Sequence, residues 1–327
     1  MEKYLHNRIA ESQLTIYVCA LFGIFTWIVA GLFTQHLWIP LICIFATCYL
    51  MIEMSRHMIL LRVRSWMVTS VFMVLNACCA FTYPSIAAGA VGLCMVFSLF
   101  MLFITYQNPH DAGHTFWAYL SLGGASIFFV QVLYLMPLLW VLTIFLLQSF
   151  NWRTWVASLL GILAPYWLLS PIFIYRQDFD TIANHFAGLV SIQMPEDADM
   201  LTPIKIVVLG LIALLTTISA LHFWRESYKE RIRTRQIYNF MQWLGLAVCV
   251  FILLQPQHYD ILIRIVLICA SPYIAHFFTV THSKIVNYLF FGTLVLFVTL
   301  AMISTSETLL NYSNTLLSQL WNGSLTF

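Results

Sequence analysis

The sequence predicts an all-α, polytopic transmembrane bundle of about eleven spans. It is read as a single integral membrane domain over residues 1–327, with its N-terminus in the cytoplasm and its C-terminus outside. Three observations predict this class. Of 327 residues, 61% are hydrophobic and 9% charged, where a soluble domain carries roughly 25% charged residues. Apolar stretches recur at near-bilayer length from Leu14 almost to the last residue. Lys and Arg gather in alternate loops, as they do on the cytoplasmic side of membrane proteins.

The polar string MEKYLHNRIAESQ precedes an apolar run with no small-residue cleavage site, so Leu14 to Phe33 reads as a retained first span. Leu37 to Ile52, Trp66 to Phe81 and Ile86 to Tyr106 follow as the next three. Phe116 to Phe150 is too long for one crossing, because 35 helical residues would extend ~52 Å against a ~30 Å hydrocarbon core. A break is expected at Pro137, giving spans Phe116 to Tyr134 and Pro137 to Phe150. The remaining spans are Thr154 to Tyr175, Ile204 to Trp224, Phe240 to Leu254, Tyr259 to Phe277 and Ile285 to Ile303.

Loop charge tests the break independently. The two most basic loops hold Arg56, Arg62 and Arg64, and then RESYKERIRTR within the cytoplasmic loop 225–237. Both face the cytoplasm only if an even number of spans separates them, which the split at 116–150 provides. With that choice Lys3, Arg8, Arg56, Arg62, Arg64, Arg153, Arg225, Lys229, Arg231, Arg233, Arg235 and Lys284 lie inside, against Arg176 and Lys205 outside, with Arg264 in a span. The outer loop 176–203 carries Asp178, Asp180, Glu196, Asp197 and Asp199, and its TIANHFAGLVSI reads as an amphipathic helix on the outer leaflet. The C-terminal TSETLLNYSNTLLSQLW repeats that character.

A net charge of +2 argues against nucleic acid as a partner. All eight cysteines lie in apolar segments without CxxC spacing, so neither a disulfide framework nor a cysteine metal site is expected, and no cofactor is implied.

Candidate chemistry is sparse. In NPHDAGH, His110 and His114 flank Asp111 at a spacing that would bind a metal on a helix. His57, His222, His276 and His282 fall near the same boundary. Pro109 and Gly113 favour a turn, however, so an interfacial role is preferred to a metal site. SRHMILLRVRSW places Arg56, Arg62 and Arg64 where lipid phosphates lie, a grip for an anionic head group beside the plainer reading of positive-inside anchoring. RESYKERIRTR alternates Glu226 and Glu230 with basic residues and reads as a solvated helix extension. Arg264 is an intramembrane charge four residues after Asp260, a spacing that pairs the two on one face. Asn76, Gln131 and Asn287 read as interhelical hydrogen-bonding groups, and Pro165, Pro171 and Pro272 as kinks or breaks.

The order GHTFWAYLSLGGASIFFVQVLYLMPLLW, FNWRTW and ASLLGILAPYWLL, with RVRSW and TYPS upstream, resembles an uncharacterised Bacteroidetes-type family of polytopic inner-membrane proteins. The same stretch is distantly similar to the membrane modules of type-C glycosyltransferases, which use lipid-linked sugar donors. The resemblance implies a multi-pass protein of the bacterial inner membrane, with membrane lipids, anionic or polyprenyl-phosphate lipids among them, as partners. Those glycosyltransferases carry a catalytic Asp or Glu in the first outer loop, where this chain has Thr34, Gln35 and His36. Either Asp178 and Asp180 substitute or the chain is a non-catalytic relative. The leading expectation is a component of an envelope or lipid-linked glycan pathway. The alternatives are an enzyme, as a divergent glycosyltransferase or a histidine-metal oxygenase, and a small-molecule transporter.

Overall fold

The computed structural model describes residues 4–63, 65–176, 179–190 and 202–323. Among them every regular element is a helix. A short helix α1 (Leu5–Glu11) meets α2 (Leu14–Val29) at 83°. Then come α3 (Trp38–Met58), α4 (Met67–Cys78), α5 (Ile86–Ile104), α6 (Ala112–Phe128) and α7 (Leu135–Leu142), followed by α8 (Trp152–Arg176) and α9 (Phe179–Val190). The chain ends in α10 (Pro203–Glu226), α11 (Ile232–Leu254), α12 (Tyr259–Val280) and α13 (Lys284–Gly323).

Each of the eleven apolar segments coincides with a helix. By length and composition eight helical stretches can cross a membrane, or nine if α1 and α2 count as one bent span. The other two are shorter. The 12 residues of α4 and the 17 of α6 reach ~18 Å and ~26 Å at 1.5 Å per residue. Large apolar side chains point outward around the bundle, among them Trp167 at 75% exposure and Phe145 at 72%, a surface that lipid solvates and water does not.

At the centre is α12. Its span is 94% buried, packed by α1, α4, α5, α10 and α11, which is why its residues are apolar on every face. Pro272 lies inside it without ending it. A proline leaves the carbonyl four residues back without its N–H partner, and the Ser271 hydroxyl donates to that Ile268 carbonyl at 3.3 Å. Likewise Pro165 and Pro171 sit within a continuous α8, so none of the three breaks its helix.

The hairpin expected in the 116–150 stretch is present, but its corner is Phe129 and not Pro137. Phe129 is extended (φ −149) after α6, and a 3₁₀ turn at Val130–Tyr134 leads into α7. Pro137 occupies the first turn of α7, where a missing N–H costs nothing. Between α6 and α8 the backbones touch through glycine. A Cβ at Gly123 would stand 2.7 Å from the Ile162 carbonyl, and one at Gly161 2.7 Å from that of Phe116, the close approach that small residues permit in membranes.

One other expected element is formed and one is not separate. TIANHFAGLV lies in the helix α9, and α9 packs on the bundle: the Tyr134 hydroxyl donates to the Leu189 carbonyl, and the rings of Tyr166 and Phe186 lie 5.1 Å apart. Asp178, Glu196, Asp197 and Asp199 lie outside the described residues. The C-terminal amphipathic string is no separate element, since α13 runs unbroken for 40 residues.

Candidate functional site

One end of the bundle collects most of the basic residues, and its contacts show which loops meet there. Arg62, in the turn between α3 and α4, pairs with Glu230, between α10 and α11, at 2.7 Å. His276 of α12 reaches the same Glu230 oxygen at 3.2 Å. Helix α3 ends on Ile59 in the left-handed region (φ 51), a strained place for a β-branched residue. Helix α11 holds that corner: Arg233 donates to the Met58 sulfur at 3.0 Å, and the Tyr238 hydroxyl donates to the Leu60 carbonyl at 3.2 Å.

RESYKERIRTR is therefore not a solvated helix extension. Helix α10 ends at Glu226, a 3₁₀ turn follows, and Glu230 with a 6% exposed side chain turns inward. Burial alone would raise its carboxyl. The hydrogen bond and charge of His276 and the charge of Arg62 outweigh burial and hold it below the ordinary carboxylate range.

The three arginines of the expected anionic-lipid grip do different things. Arg62 is committed to Glu230. Arg56 is exposed, its guanidinium 5.8 Å from the Trp66 ring centre. Arg64 lies outside the described residues.

Asp111 is the N-cap of α6, accepting from the His114 backbone N–H at 3.2 Å, while its carboxylate meets the His114 ring at 2.7 Å. His110 sits in the turn before the helix begins, so the i, i+4 face that a metal pair needs is not formed. Elsewhere at this end the histidines serve packing. His6 meets Asn287 and the Thr281 carbonyl, at 3.1 and 2.9 Å, His282 meets Asn7 at 3.0 Å, and His222 meets Thr281 at 3.2 Å. Among the described residues no three His, Cys, Asp or Glu side chains group as metal ligands.

Those contacts make α1 a docked element of the bundle. His6 and Asn7 are buried to 0% and 1% exposure. Its bend into α2 leaves a cavity of about 460 Å³ bordered by Ile9 and Ser12, by Val18 of α2, by Val71 and Leu75 of α4, by Phe278 of α12 and by Phe297 of α13. The volume lies in the range of small-molecule and lipid sites. Its four hydroxyls are already engaged: Thr15, Ser70 and Thr293 donate to the carbonyls of Ile9, Trp66 and Phe290, and the Ser12 oxygen accepts from Leu14 N–H. What remains on the wall is hydrocarbon with the side chains of Cys19 and Met67. Exposed Arg8 precedes the lining residue Ile9 by one position, and Arg56 lies over Trp66, the residue before the lining Met67. The sequence offered only one sign of this cavity, a polar Glu-Ser-Gln break between two helix-compatible runs.

Toward the other end, Asp260 does not pair with Arg264. It pairs with Lys205 at 2.7 Å, and Arg264 turns inward to Thr82. The first loop at that end offers no carboxylate: Thr34 and Gln35 donate to the carbonyls of Gly31 and Ala30. Comparison with known proteins finds no match to this chain, whether among family models, curated proteins or solved structures.

Proposed function

We propose that the chain is an inner-membrane protein of a bacterium that takes the hydrocarbon chain of an anionic, polyprenyl-phosphate-type lipid into the cavity beside α1 and α2, as a component of an envelope or lipid-linked glycan pathway. In this reading the basic end faces the cytoplasm, all eleven apolar segments cross or enter the bilayer, and the C-terminus lies outside. The observation that carries it is the cavity's wall, where every hydroxyl is turned onto backbone and apolar surface faces the space. A polar solute would leave its hydrogen-bonding groups unmatched there, whereas a lipid chain loses nothing. Arg8 and Arg56 supply charge for a phosphate at head-group depth without burying it. Binding is favoured over glycosyl transfer because the loop at Thr34, Gln35 and His36 provides no carboxylate to act as base or metal ligand.

The test is the lipid retained by purified protein, read by mass spectrometry. Wild type should carry about one anionic or polyprenyl-phosphate lipid per chain after detergent exchange. Val71→Trp should displace it by filling the cavity, and Arg56→Ala should weaken retention without changing protein yield. Equal lipid content in all three proteins would overturn the proposal.

A further inference from the structure

Arg264 is 1% exposed on the most buried helix of the bundle. A guanidinium keeps its charge in any protein environment and brings five N–H donors. Only Nη2 is used: it donates to the Thr82 hydroxyl at 2.9 Å and to the Thr82 carbonyl at 3.2 Å. Nε and Nη1 are buried and meet no acceptor among the described residues.

The groups close enough to Arg264 to interact with it come from α3, from α4 and the turn after it, and from α5. Helix α3 contributes Cys43 and Cys48, the end of α4 and the turn after it contribute Cys79, Thr82 and Tyr83, and α5 contributes Gly92, where a Cβ would lie 3.6 Å from the Arg264 side chain. None is an anion. The one nearby carboxylate among the described residues, Asp260 on the same helix, is held at 2.7 Å by Lys205. Lys205, Asp260 and Arg264 thus sum to one uncompensated positive charge, and an unpaired charge inside a bundle in lipid is among the most costly arrangements a membrane protein can hold.

We infer that Arg264, with Thr82, forms a buried binding site for a small monovalent anion of halide size. One negative charge neutralises the site, whereas a dianionic oxyanion would overcompensate it and need more donors than the unused N–H groups of one guanidinium. Entry is short: Asp260, exposed by 40% at its side chain, stands one helical turn away, a rise of ~6 Å. The site is independent of the lipid cavity, which lies against the opposite half of α12 at Ile274 and Phe278.

The experiment is thermal unfolding of the purified protein at fixed ionic strength while gluconate is exchanged for chloride or bromide. The midpoint should rise saturably by ~3 °C or more, and Arg264→Met should lose the halide dependence. No rise, an equal rise in Arg264→Met, or an equal rise with sulfate would each overturn the assignment. Should Arg264→Met fail to fold, bromide-soaked wild-type crystals decide the matter. Anomalous density within hydrogen-bond reach of Nε or Nη1 supports the site, and bromide found only elsewhere overturns it.

Discussion

Glu230 shows how a charge that looks solvated in sequence becomes structural. RESYKERIRTR alternates signs at helical spacing, which ordinarily marks a water-facing helix, and nothing local announces that Arg62, 168 positions earlier, will meet Glu230. The same limit governs Arg264, where the i, i+4 rule selected Asp260 and a long-range lysine took it instead. The caps, by contrast, were within reach of sequence: Asp111 three residues before His114 is an N-cap spacing, and its capping geometry removes the helical frame a metal pair would need. For Glu230 we expect Glu230→Gln to cost ~1.5–3 kcal/mol, the range for hydrogen bonds to a charged group, with most of the loss at His276 because Arg62 is over a third exposed and screened. The folded carboxyl lies below its ordinary value of 4.5. Its stabilisation is therefore complete above that pH and is lost as pH falls through the folded value. Unfolding midpoints of wild type and Glu230→Gln should accordingly differ at pH 7 and converge in acid, and a difference that persists unchanged below pH ~3 would sink this account.

Helices were the most legible level, because mean hydropathy and segment length mark apolar helices wherever they pack. Their joints were not. Proline was the obvious breaker in 116–150, yet Pro137 fits the first turn of α7 and the chain turns at Phe129, a residue with no breaking tendency of its own. Helix α1 was hidden because its buried face holds His6 and Asn7 beside Ala10, and the burial of these two polar residues is bought by hydrogen bonds to the far end of the chain. Adjacent glycines in α6 separate packing from propensity. Gly123 faces the α8 backbone, while nothing lies within 4 Å of a Cβ at Gly124. Gly123→Ala should destabilise by ~1–3 kcal/mol through overpacking, and Gly124→Ala should be neutral or stabilise by up to ~1 kcal/mol through helix propensity. Detergent-solubilised unfolding curves of the two variants provide the comparison, and equal losses would mean that α6 and α8 do not approach as closely as described.

At the scale of the whole molecule, the positive-inside argument and the three-dimensional contacts converge on which loops share an end. The Arg62–Glu230 pair joins the 59–66 and 227–231 loops. The His6–Thr281 contact brings α1 and the α12–α13 turn to the side of His222, and Gln107 N–H donates to the Leu147 carbonyl, returning the α6–α7 hairpin to the same level. Lys205 and the Phe129–His258 contact belong to the opposite end. This even parity was derived from charge alone, because moving basic loops across a membrane is costly whatever the packing. What charge cannot give is depth, so the short α4 and α6 were drawn as full spans. The sidedness has a direct test in intact cells with a membrane-impermeant maleimide. Tyr228, 74% exposed in the basic loop, and Gln257, exposed between α11 and α12, lie at opposite ends of the single helix α11. Native cysteines lie in apolar helices, or in the turn after α4 for Cys79, and set only a background, measured on the parent chain. A Gln257→Cys protein should label from outside, and a Tyr228→Cys protein only after the cells are permeabilised. Labelling of Tyr228→Cys alone in intact cells would invert the orientation and place the lipid cavity in the outer leaflet. Labelling of both would mean that α11 does not cross.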